Sequence, residues 1–365
     1  MTEIGQIPTP ALLLDLDKLE RNLAAMAGRT RALGVALRPH IKSHKCVEIG
    51  RLQRSLGATG ITVATLSEAE VFAAHGFDDI TWAFPLIWSR IDQAMALASR
   101  VTLGIVIDSR EALDRLKETG FPFHVWIKVD CGYHRAGVDP HGDVGVRLAR
   151  DLHDSPNLMF DGILTHAGQS YHARGRDMLR RVAEEERRVM VEFADRLRSE
   201  DNVDVSRISV GSTPTMSVVE HLDGVTEARP GNYALYDHSQ VVIGSCAVTD
   251  CAVTVLASVV SSQAGMNHSV IDAGALALSK DPGPADTTTS TMGEIFDDYA
   301  AGTLEPDTRV IAVSQEHGTV SRRLPLGSLV RILPNHSCLT VSLFDEFYVV
   351  RGDSVVDRWK IWRER

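Results

Sequence analysis

The chain has no apolar run of roughly eighteen residues, the length an α-helix needs to cross a bilayer. Its opening, MTEIGQIPTP, lacks the basic-then-apolar pattern of a secretory signal. Basic residues are in deficit, with 38 Lys and Arg against 48 Asp and Glu, and no segment gathers them densely among aromatics. A nucleic-acid groove is therefore not expected. A small anion is still possible, because backbone NH groups and one or two Arg can hold it on an acidic protein. Cysteine is scarce and odd in number: Cys46, Cys131, Cys246, Cys251 and Cys338 are widely spaced along 365 residues. That usage argues for reduced thiols and against a disulfide framework. Cys246 and Cys251, five apart, do not have zinc-knuckle spacing and read as packing residues in a strand. These absences predict a cytoplasmic protein whose partner is a small molecule, with neither membrane nor nucleic acid involved.

What is present is a long alternation. Short apolar, β-branched runs recur at 37–42 (LRPHIK), 60–65 (GITVAT), 80–84 (ITWAF), 101–108 (VTLGIVID), 124–130 (HVWIKVD), 160–166 (FDGILTH), 207–212 (RISVGS) and 227–232 (EARPGN). Segments such as 17–34, 67–76 and 176–200 carry apolar residues at helical spacing. Strands alternating with helices predict an α/β fold with a parallel sheet, and eight such units predict a (β/α)8 TIM-type barrel. A doubly wound open sheet is the alternative, but no GxGxxG follows the first strand. After about residue 240 strand-like runs follow one another (QVVIGS, AVTVLASVVSS, HSVIDAG, RVIAVSQEHG, LVRILP, CLTVSLFDEFYVVRGD, VVDRWKIWR), which predicts a C-terminal antiparallel β domain. The expected division is a barrel over 11–240 and a β domain over 241–365 with residues 1–10. KDPGPADTTTSTMG at 280–293 reads as a long, functional or mobile loop.

In a barrel, reactive residues collect at the carboxyl ends of the strands. Lys42 ends the first run, where barrel side chains would desolvate its ammonium, lower its pKa and leave a nucleophilic amine. Arg38 and His40 would share its face by strand alternation, and the bland alternative is an exposed loop lysine. Lys45 is the competing nucleophile. Ser212 and Thr213 in GSTPT, and the glycine of PGNY, suit a phosphate after the last two strands, or are merely tight turns. Arg135 in DCGYHRAG, with Gln169 and Tyr171 in THAGQSYH, would line the same mouth if they are not solvated loop residues. In PNHSC, His336 and Cys338 would share one strand face and could hold one ion, zinc by softness, unless they are unrelated packing residues. Glu316 and His317 are possible outer-shell groups.

Taken in order, TPALLLDLDKLERN, LRPHIKSHK, LSEAEVFAAHGFDDI, DCGYHRAGV, THAGQSYHARG, GSTPT, RPGNY, DAGALALSKD, QEHG and PNHSC cover nearly the whole chain. This set resembles the fold-type III pyridoxal phosphate enzymes of alanine racemase-like architecture, and more closely the D-serine dehydratase and D-threonine aldolase family. The resemblance implies that Lys42 carries the cofactor covalently and that Arg135 contacts its ring oxygen. It implies that Thr213, Gly231 and Asn232 hold the phosphate, with Gln169 and Tyr171 alongside. It further implies a divalent ion, zinc or manganese, on His336 and Cys338, and a homodimer. No counterpart of the racemase's second catalytic tyrosine is recognisable, and HxC looks like the dehydratase branch where HxD looks like aldolases. The expected activity is dehydration of D-serine or a 3-hydroxy-D-aspartate-like substrate, with D-threonine aldolase as the alternative and racemase further off.

Overall fold

In the computed structural model, which describes residues 2–283 and 291–363, each of the eight predicted runs overlaps a strand, the run 37–42 at Leu37 alone. In order these are Ala36–Leu37, Ile61–Val63, Asp79–Pro85, Thr102–Ile107, His124–Lys128, Met159–Leu164, Ile208–Val210 and Glu227–Ala228. They are called here the first to eighth barrel strands. Each pairs in parallel with its neighbour, and the first pairs with the eighth. A parallel bridge between His40 and Thr62, with Thr62 N donating to Pro39 O at 2.9 Å, joins the first strand to the second and closes the ring. The helices between them end where local chemistry says they should. Thr65 and Glu68 cap Leu66–Ala74 reciprocally, and Gly120 ends Arg110–Thr119 in the left-handed region.

The barrel interior carries charge as well as hydrocarbon. Arg38 is 2% exposed and holds both oxygens of Asp79 and Oε2 of Glu227, each at 2.7 Å. Ser209 Oγ donates to the other Glu227 oxygen and accepts from Arg229 Nε. Arg229 Nη2 reaches the carbonyl of Thr165. Arg38 is therefore committed to ion pairs and is no companion to Lys42. The first strand ends at Leu37 and Lys42 lies in the 3-10 turn Ile41–Ser43, so strand alternation does not extend to it.

Two compact units make up the chain: Met26–Lys42 with Ile49–Gly231, and Met1–Ala25 with Ser43–Glu48 and Asn232–Arg363. The second is a ten-stranded sheet, antiparallel except where Glu346–Arg351 runs parallel to Ala11–Asp15. Ala11–Asp15 was expected on the barrel side; all five of its residues are buried and it pairs with Val253–Ser261. One expected strand is helical, and so is the start of another, CLTVSLFDEFYVVRGD, whose strand is Glu346–Arg351. QVVIGS lies in His238–Ile243, because Asp237 caps it by accepting from Gln240 N and Gly244 stops it at φ 92°. CLTV falls in the short helix Ser337–Val341. Cys246 and Cys251 do pack, around Phe296 and Leu333, but flank the 3-10 turn Val248–Asp250 instead of sitting in a strand. Of the 280–293 loop, residues 284–290 lie outside the described residues.

Candidate active site

The carboxyl ends of the barrel strands are laced together by their own loops. Gln169 Nε2 donates to Cys131 O at 3.0 Å, tying the loop after the sixth strand to that after the fifth. A Cβ on Gly168 would collide with the Tyr133 ring at 2.3 Å, so glycine is what lets these loops approach. Ser170 and Ser212 hydroxyls meet at 2.9 Å, linking the sixth and seventh. A Cβ on Gly231 would lie 2.7 Å from His40 O, which brings the eighth against the first. Beneath them Glu186, 2% exposed on helix Arg176–Asp201, accepts from the NH groups of Ala167 (3.2 Å) and Gly211 (3.0 Å). Burial raises its pKa, and those bonds oppose the rise. Glu186 thus fixes the entry to both small-residue loops.

Positive charge gathers in this mouth. The imidazole of His166 is held well below its usual pKa, first by burial and then by the charges of Lys42, Arg135, Arg229 and Lys128, so it is neutral. Lys128, 7% exposed at the end of the fifth strand, is lowered to about 8 by burial and then by Arg135 and Arg229. Lys42, Lys128, Arg135 and Arg229 give this mouth a local excess of positive charge, which favours an anion, although Arg229 itself is spent on Ser209 and Thr165. Gln169 Oε1 is buried there without a hydrogen-bond partner.

Lys42 itself is exposed and not walled in by the barrel, because the chain turns out of the strand five residues before it. Arg135 is exposed, with its guanidinium 5.1 Å from the Tyr133 ring. Tyr171 faces His166 with ring centroids 6.2 Å apart. The Ser212 hydroxyl, expected to bind phosphate, also caps a helix: it accepts from Thr215 N and contacts Thr215 Oγ1. Thr213 and Gly231 lie in the same unit, whereas Asn232 begins the other. His166, Lys128, Arg229 and Glu186 escaped the sequence reading. His166 stands two residues past the sixth strand and Lys128 ends the fifth, so the strand-end rule applied to every polar residue would have found those two. Arg229 and Glu186 gave no such signal.

These cations imply a pH effect on the cofactor-free protein. Lys128 has a folded pKa near 8 against 10.5 unfolded, so the unfolded chain binds more protons between those values and stability rises across that window. Below about 8 the burial penalty is fully present, about 3 kcal/mol. Lys128→Met is expected to stabilise by up to that amount at pH 7, and by progressively less as pH approaches 10.5. Urea unfolding at pH 7, 9 and 10.5 checks it; an equal gain at every pH would be wrong for this account.

The β unit supplies a second cluster. His336 precedes the helix Ser337–Val341 in extended conformation (φ -141°, ψ 99°), and Cys338 sits in its first turn. The pair therefore meets across a strand-to-helix corner and not along a strand face. Burial works against a charge on His336, but Cys338 and the hydrogen bond that His336 Nδ1 donates to Asp281 raise its pKa to about 11. Asn232 Nδ2 lies 3.5 Å from Cys338 Sγ and donates to Asp237 and to Ser337 Oγ. Its Oδ1 is buried without a partner. Asp237 also accepts from Ser337 N and Ser337 Oγ, pinning the residue between the two candidate ligands. Glu316 and His317 do not join them: both are exposed in the hairpin between Thr303–Val313 and Gly318–Val320.

A closed parallel barrel with a lysine after its first strand, and a separate β unit with an adjoining His and Cys, defines the alanine racemase-like class of fold-type III enzymes. The chain matches the model "Alanine racemase, N-terminal domain" over residues 14–239, more than half its length, and "Putative serine dehydratase domain" over 252–350. It is 39% identical to a D-threo-3-hydroxyaspartate dehydratase from Delftia sp. (strain HT23), over 97% of each chain. The solved structure of that enzyme superposes with a TM-score of 0.93 over 99% of both chains, and so does a cysteine-to-alanine mutant of it described as the metal-free form. Identity to a D-serine dehydratase from Dictyostelium discoideum is 33%, covering 97% of this chain and 96% of that one. A D-threonine aldolase from Arthrobacter sp. is 30% identical, covering 98% and 93%. The chain belongs to the D-serine dehydratase and D-threonine aldolase family, a pyridoxal phosphate-dependent family.

Both residue sets fit their implied groups. The cation-rich mouth and the glycine-lined loops suit a phosphate-bearing cofactor. The imidazole and thiol, beside the unpartnered Asn232 oxygen, suit a borderline-soft divalent ion. No three His, Cys, Asp or Glu residues converge as a metal set among the described residues. Such an ion would keep open positions for water or substrate, as catalytic ions do.

Proposed function

We propose that this chain is a pyridoxal phosphate- and divalent-metal-dependent lyase that dehydrates a β-hydroxy D-amino acid, D-serine or 3-hydroxy-D-aspartate, to a 2-oxo acid and ammonia. The gathering of Lys42, Lys128, Arg135 and Arg229 about a neutral His166 carries the reading, because it matches a phosphate and a substrate carboxylate at once. When bound, the cofactor supplies an electron sink at the substrate α-carbon and the ion supplies Lewis acidity toward the β-oxygen.

The rest falls to the chain's own groups. Lys42 Nζ would hold the cofactor and serve as the base for the α-proton. Neutral His166 and Tyr171 would flank the cofactor without adding charge. Arg135 would serve the cofactor ring oxygen and Thr213 and Gly231 its phosphate, while Glu186 holds the loop that carries Thr213. His336 and Cys338 grip the ion, zinc or manganese, with Asn232 at the thiol. The protein works as a cytoplasmic homodimer in this reading.

Cys338 where aldolases carry Asp favours elimination over carbon–carbon cleavage. Incubation with D-serine, D-threonine and 3-hydroxy-D-aspartate, followed by assay of 2-oxo acid, ammonia and glycine, tests it. Oxo acid with equimolar ammonia is the expected result. Glycine and an aldehyde from D-threonine would make the protein an aldolase, and inertness toward all three would overturn the reading.

A further inference from the structure

The segment DAGALALSKD ends in Asp281, a residue with no part in the scheme above. Its carboxylate is fixed at both oxygens: Oδ1 accepts from Gly283 N at 2.9 Å, and Oδ2 lies 3.0 Å from His336 Nδ1. Its carbonyl accepts from Asn335 Nδ2 at 2.9 Å, and Asn335 directly precedes His336. Thr340 Oγ1, on the helix that carries Cys338, donates to Leu278 O at 3.4 Å. The segment is thus docked along the corner that presents both candidate ligands. With Nδ1 taken by a carboxylate, Nε2 is the ring nitrogen left for an ion. Asp281 is not itself a ligand in this arrangement, since no third His, Cys, Asp or Glu joins the pair among the described residues.

We propose that Asp281 is a positioning residue of the ion site: its carboxylate holds the His336 ring so that Nε2 and Cys338 Sγ meet one divalent ion. The inference rests on His336 and Cys338 being the ligands. A carboxylate on the far nitrogen fixes tautomer and ring orientation and makes the ligating nitrogen more basic, and loss of such a partner weakens metal binding by about 10- to 100-fold. Asp281 is half-buried, with a side chain 25% exposed, so its replacement leaves the core intact.

The test is Zn2+ affinity of the full-length, cofactor-loaded protein, stripped with a chelator and titrated in competition with a chromophoric chelator. Asp281→Ala is expected to bind Zn2+ about 10- to 100-fold more weakly, and Asp281→Asn, which keeps an acceptor but not the charge, to fall between. Unfolding temperatures measured in chelator should coincide for all three proteins. Asp281→Ala binding Zn2+ within about twofold of the unsubstituted protein overturns the positioning role alone. If the unsubstituted protein takes up no Zn2+, or His336→Ala binds it equally well, the ligand assignment falls and the proposal with it.

Discussion

Replacing Lys42 with Ala lowers turnover by at least about 10³-fold, the middle of the range for a positioned proton-transfer group. It also removes the visible absorbance of the lysine-linked cofactor. Lys45→Ala does neither. The two lysines are three residues apart, and the charge of Lys42 acts on both His166 and Lys128 in the barrel mouth. Lys45 has a left-handed backbone (φ 49°) and its carbonyl accepts from Trp362 N, which places it in the β unit. Exposure of Lys42 suits attachment to a cofactor, since an aldehyde must reach its amine. Absorbance spectra of the reconstituted variants decide the matter; a visible band retained by Lys42→Ala would move the attachment elsewhere.

Losing the ion has an effect of similar size. Lewis-acid assistance to a leaving hydroxide is worth several kcal/mol, or about 10³-fold in rate. Cys338→Ala, or dialysis of the unsubstituted protein against a chelator, is therefore expected to abolish oxo acid formation while the cofactor band persists. His336 makes the loss steeper at low pH. Its pKa of about 11 without metal means an ion must displace a proton, so metal uptake strengthens as pH rises. Full turnover after chelation, with metal content confirmed to be nil, would contradict the role given to these two residues.

The barrel was legible because each strand is a short apolar run bounded by turn residues, and eight of them alternate with helical spacing. The β unit was harder to read. Ala11–Asp15 is as apolar as a barrel strand, and nothing local tells it to pair with Val253–Ser261 and Glu346–Arg351, far along the chain. QVVIGS carries β-branched residues, but a capping Asp237 and a left-handed Gly244 override that propensity. At the site, Lys42, His336 and Cys338 stood out by residue type. Ser212 has a second role that residue type alone did not show, since its hydroxyl caps the helix that follows. Glu186 and Asp281 gave no warning, since their importance lies in what they hold across 25 and 55 residues of chain.

A crystal structure of the full chain, grown with pyridoxal phosphate and Zn2+ and measured at the zinc edge, tests the central claim most directly. The account predicts continuous density from Lys42 Nζ to the cofactor and one anomalous peak bonded to His336 and Cys338. Cofactor joined to another lysine, or zinc held away from that pair, would contradict it.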